Sequence, residues 1–123
     1  MTTIAVLSQL IIALGIVNVW VLRRERATAY RPAGAHNIRE EFEQYGFPSW
    51  APVAVGGAKL ILAGLLIVGI FIPAVAAPAA VLMAALMVGA IGAHIKVGDP
   101  LKKSVPAAAM LLLSILVIVG QSV

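Results

Sequence analysis

Cysteine is absent from this chain, which excludes disulfides, thiolate nucleophiles and cysteine-ligated zinc or iron–sulfur centres. Charge is nearly as scarce: 11% of residues are Asp, Glu, Lys or Arg, too few to cover a water-soluble domain of 123 residues. Aromatic residues make up 6% and none is interleaved with a basic stripe. The excess of nine basic over five acidic residues is therefore not a nucleic-acid footprint, and no nucleic-acid partner is expected. There is no phosphate-binding glycine loop, nucleophile elbow or His-Glu zinc pattern. Two histidines far apart in the chain do not make a transition-metal site, so no catalytic residue is assigned and no metal is expected.

What the chain has in abundance is apolar: 62% hydrophobic residues and a mean hydropathy of +1.04. A bilayer is the solvent that removes the need for a polar surface. Four runs cover about 3–22, 52–72, 74–95 and 105–121. Twenty helical residues rise about 30 Å, the thickness of a hydrocarbon core. The first run has no charge before Arg23 and more membrane after it, so it reads as a retained helix and not as a signal peptide. Pro73 separates the second and third runs without charge or loop, which predicts a tight hairpin, with the third helix itself starting near Pro78. Runs without amphipathic faces cannot meet water. The expected fold is a single all-α domain, 1–123: an integral membrane four-helix bundle.

Every charged residue except Lys59 falls within 23–43 or 96–103. Arg23, Arg24, Arg26, Arg31 and Arg39 lie in the first connection, and Lys96, Lys102 and Lys103 in the third. The positive-inside rule puts both connections in the cytoplasm and both termini outside, in a multi-pass protein of the cell (plasma) membrane.

Within the first connection, Ile38, Phe42 and Tyr45 are spaced by four and three, one apolar face at helical period. Asn37 can cap this stretch, with Glu40 three residues on, and Gly46 can end it. A short amphipathic helix at the interface, packed on the bundle, is expected between the first and second membrane helices. Trp20 and Trp50 are expected at the membrane boundary. On the third membrane helix Ala85, Gly89 and Ala93 recur every four residues, a ridge that permits close backbone approach between helices.

Polar residues inside membrane helices are the natural candidates for function. Counted at 1.5 Å per residue, Asn18, Lys59 and His94 fall within roughly 10 Å of the cytoplasmic boundary, with Asp99 in the adjoining turn. Together they could line one inward-facing ligand-binding cavity, with Asp99 or one of Glu40, Glu41 and Glu43 as the carboxylate partner of Lys59. Each has a structural alternative. Lys59 could snorkel to the headgroups, His94 could cap helix carbonyls, Asp99 before Pro100 could form a turn, and Asn18 could bond a neighbouring helix.

At "EEFEQYGFPSWAPVAVGGAKLILAGLL" and "GAHIKVGDPLKKSVPA" the chain resembles the DoxX-like membrane proteins, along nearly its whole length. The resemblance implies a four-helix plasma-membrane protein, in some members linked to redox or oxidative-stress systems and to quinone-associated oxidoreductase assemblies. Many relatives look to have Glu where this chain has Lys59, a reversal of charge, so no role is carried over to that position. Two functions follow as expectations. One is a small membrane subunit or scaffold of a redox or stress-related system, without assigned catalytic activity, associating with lipids, with itself or with a membrane redox partner. The other is binding or turnover of a hydrophobic ligand, a quinone or lipid, at the inner-leaflet cavity. A transporter ranks below both, since four helices give a thin wall for a pore.

Overall fold

The computed structural model describes residues 3–22, 35 and 37–122, the last two by backbone alone. Arg23, Arg24, Arg26 and Arg31 lie outside the described residues. Among the described residues there are five α-helices: α1 (Thr3–Val17), α2 (Ile38–Gln44), α3 (Ala51–Phe71), α4 (Pro73–Lys96) and α5 (Val105–Ser122). A π-helical turn, Asn18–Leu22, prolongs α1, and a 3-10 turn, Leu101–Ser104, leads into α5. Four segments among the described residues are long and apolar enough to cross a membrane: Thr3–Leu22, Ala51–Phe71, Pro73–Lys96 and Leu101–Gly120. In hydrocarbon every backbone polar group must find its partner within the protein, and a continuous helix does this along its own axis.

The four spans form a closed ring of neighbours, α1 against α3, α3 against α4, α4 against α5, and α5 back against α1. Each is antiparallel to the next. One end of the bundle therefore gathers the end of α1, the starts of α3 and α5 and the end of α4, and α2 packs there, against α3. The core is built from side chains of modest size, among them Ile12, Leu66, Met83 and Val117, all fully buried. Gln9 crosses the interior to donate from Nε2 to the Leu66 carbonyl oxygen at 2.8 Å, tying α1 to α3. Ser114 settles its hydroxyl locally, on the Met110 carbonyl oxygen four residues back.

Two expectations need correction. The helix after Pro73 starts at that proline and runs through Pro78, not from Pro78. A start at Pro78 would leave the backbone of the preceding residues without partners in an apolar layer, whereas a proline inside the helix forfeits a single hydrogen bond. Trp20 and Trp50 both stand at the same end of the bundle, Trp50 two-thirds exposed at the start of α3 and Trp20 buried, continuing the Ile12–Ile16 stripe of α1 into the protein. Gly56 makes room for it: a β-carbon there would meet the Trp20 ring at 2.5 Å. The ridge of Ala85, Gly89 and Ala93 does not serve close packing either, since a β-carbon on Gly89 would meet nothing within 4 Å. These three residues line a cavity.

Candidate functional site

The site begins with two helix ends. At the end of α2, Gly46 has φ +81°, its N–H bonds the Glu43 carbonyl oxygen and the Phe47 N–H reaches back to that of Phe42. At the end of α4, Gly98 has φ +73°, its N–H bonds the Ile95 carbonyl oxygen and the Asp99 N–H reaches back to that of His94. Both are Schellman closures, which need a left-handed residue and suit glycine, and which bring the side chains three before and two after the cap together. In α2 that pair is Phe42 and Phe47, with ring centroids 5.7 Å apart. In α4 it is His94 and Asp99, with Nδ1 2.6 Å from Oδ2 and both side chains buried.

The two ends are fastened to one another. Lys96 donates from Nζ to the Tyr45 carbonyl oxygen at 2.9 Å, neutralising the negative end of α2, and stands 5.6 Å from the Phe47 ring centroid. The Tyr45 ring meets the His94 ring edge-on, with centroids 5.5 Å apart, and its hydroxyl is 3.3 Å from each ring nitrogen. As the spacing predicts, Ile38, Phe42 and Tyr45 form the buried face of α2, with Arg39 and Glu43 exposed. The Asn37 side chain accepts from the Glu40 N–H at 2.9 Å, capping the start.

Beside these fastened ends is a cavity of about 910 Å³ walled by α1, its π turn, α2, α3, α4 and α5. Asn18, Lys59 and His94 all line it; Asp99 does not, and reaches it only through His94. Lys59 does not snorkel outward: it is 8% exposed, with Nζ 5.1 Å from the Trp20 ring centroid. Of the three glutamates considered for it, Glu41 is the one that lines the cavity with Lys59. His94 is bonded to a carboxylate and not to helix carbonyls.

Sequence reasoning placed Tyr45 only on an apolar stripe and Trp20 only at a boundary, yet both line the cavity. The signals were present. Trp20 lies four residues beyond Ile16, on the stripe that Ile12 and Ile16 begin, and Tyr45 carries the one hydroxyl on the apolar face of α2. Among the described residues no three His, Asp or Glu side chains converge as a metal site would require. The walls offer apolar contact for a hydrocarbon body and, at one end, an ammonium, an imidazole and a phenol as hydrogen-bonding groups.

The protein is thus a multi-pass membrane protein, a four-helix bundle with a mixed apolar and polar cavity at its charged end. Residues 26–118 match the model of the DoxX-like family, and the chain belongs to that family. Neither the curated proteins nor the solved structures give a significant match.

Proposed function

We propose that this protein is a small non-catalytic membrane subunit that binds a hydrophobic ligand bearing oxygen acceptors, a quinone or a lipid, in the cavity at the charged end of the bundle. The observation that carries the reading is the convergence of Asn18, Lys59 and His94, from three separate spans, on one cavity of about 910 Å³. That volume lies in the range of small-molecule sites, which combine apolar walls with a few placed polar groups. Lys59 supplies a donor that is buried in a membrane helix and stacked over Trp20, an arrangement that a surface anchor does not need. Membership in the DoxX-like family is consistent with a subunit role, and the partner is a second copy of the chain or a membrane redox protein.

The charged end faces the cytoplasm in this reading, with both termini outside the plasma membrane, because the basic residues collect there. Single cysteines at Thr2 and Ser122 should react with an impermeant reagent in intact cells. Protection of both until permeabilisation would invert the orientation.

Native mass spectrometry from a gentle detergent tests the ligand directly, since it reports bound small molecules and protein stoichiometry together. The wild-type chain should retain a small molecule, and Lys59→Met should lower retention about tenfold, the loss of roughly one charged hydrogen bond, without disturbing assembly. Unchanged retention in the variant would return Lys59 to a packing role. An empty bundle at fixed stoichiometry with a partner protein would leave the scaffold function alone standing.

A further inference from the structure

The His94–Asp99 bond does more than fill space at the end of α4. A carboxylate only accepts, so at 2.6 Å from Asp99 Oδ2 the His94 Nδ1 carries the proton. In the neutral ring Nε2 is then an acceptor. The Tyr45 hydroxyl is 3.3 Å from both nitrogens at once, which places it on the bisector between them and off the in-plane axis of the Nε2 lone pair. At that position, and farther than an ordinary hydroxyl hydrogen bond of about 2.8 Å, the hydroxyl leaves the single lone pair of Nε2 open to a closer donor.

Charge narrows what that donor belongs to. Lys59 and Lys103 line the cavity together with Glu41, and Asp99 stands behind His94. Counted with Lys96, which bonds Tyr45 as Asp99 bonds His94, these described residues bring three ammonium groups and two carboxylates, so both signs meet at this end. An anionic headgroup would surrender its hydration to meet carboxylates as well as cations, whereas a neutral hydroxyl keeps a hydrogen bond at each step.

We propose that Asp99 is a positioning residue: by holding His94 as the Nδ1–H tautomer, it makes Nε2 and the Tyr45 hydroxyl a reader of neutral, hydroxyl-bearing amphiphiles. This rests on the cavity reading above. The ligand hydroxyl donates to Nε2 and accepts from Tyr45 or Lys59, and the apolar body lies along Leu86, Gly89 and Ala90. A site built to bond a hydroxyl rejects the analogue that lacks its proton, because the site's own polar group is left unmatched.

The test uses the full chain in detergent with Trp50→Phe, so that fluorescence reports Trp20 in the cavity wall. Three probes share one hydrocarbon chain: para-hexylphenol, para-hexylanisole and para-hexylbenzoate. The phenol should quench Trp20 with about tenfold higher affinity than the methyl ether or the carboxylate. Asp99→Asn should abolish that preference while leaving the anisole affinity unchanged. In 15N-histidine NMR, with His94 signals assigned by His94→Gln, the same variant should move His94 from pure Nδ1–H toward a tautomer mixture. A merely structural Asp99 would not link these two readouts. Equal binding of all three probes overturns the inference and leaves the cavity reading intact, as does a phenol preference that survives Asp99→Asn with the tautomer unmoved. Absence of binding by any probe overturns both.

Discussion

The ends of α2 and α4 are closed by the same backbone hydrogen bonds around a left-handed glycine, and they differ in the one side-chain pair that the closure brings together. In α2 the pair is Phe42 with Phe47, and the result is adhesion: Phe42 also meets Trp20 edge-on at 5.8 Å and Tyr45 at 5.9 Å. In α4 the pair is His94 with Asp99, and the result is an oriented imidazole facing Tyr45. A single turn geometry therefore serves as a fastener at one end and as a holder of chemistry at the other. The backbone sets which residues meet, and the residue types alone set what the meeting does.

The sharpest way to break the comparison is at the apolar end. Phe42→Ala should destabilise the bundle by about 3 kcal/mol, the usual loss for a buried aromatic side chain, read as a shift in denaturant-induced unfolding in detergent. A loss below about 1 kcal/mol would mean that α2 contributes little to the fold.

Next in size are the glycines. Gly46→Ala and Gly98→Ala should each cost roughly 1 to 2 kcal/mol, because both positions hold positive φ and an added β-carbon is disfavoured there whatever surrounds it. Near-equal penalties would establish that the closures are equivalent; a large penalty at one end alone would show that side chains, not backbone, dominate the other.

The smallest expected change in stability comes from making the two ends alike. His94→Phe with Asp99→Leu gives α4 an apolar pair like that of α2, and a hydrogen-bonded polar pair exchanged whole for apolar groups of similar volume is often neutral within about 1 kcal/mol. The doubly substituted protein should therefore fold as well as the wild type and still lose its preference for para-hexylphenol. A severe loss of stability would make the pair a structural requirement.

Much of this was legible in the chain. The four spans follow from the length of the apolar runs, because 1.5 Å of rise per residue and the thickness of a bilayer leave little freedom. α2 was readable from Asn37, the Ile38, Phe42 and Tyr45 stripe and Gly46, since caps and periodicity are local. Asn18, Lys59 and His94 stood out because polar residues in apolar helices are conspicuous, and counting residues from the helix ends placed them at one depth. The Pro78 reading failed because local preference was weighed without the surroundings, a lipid layer that forbids loose backbone; the burial of Trp20 was not legible either, since it depends on a Gly56 notch that accepts the indole.

By itself the sequence determined that this is a membrane protein of four crossings, where the short interfacial helix begins and ends, and which polar side chains share a level. Those are consequences of hydropathy, helical rise and capping, all of which act within one segment. Only the tertiary structure decided what shares a wall. The ridge of Ala85, Gly89 and Ala93 is identical in sequence whether a neighbouring helix fills it or leaves it open, and here it is open to a cavity. Likewise, the choice of Glu41 over Glu40 and Glu43 as the carboxylate that lines the cavity with Lys59 depends on how α2 is rotated against α3. Lateral placement arises from the packing of several helices at once, and no single segment carries that information.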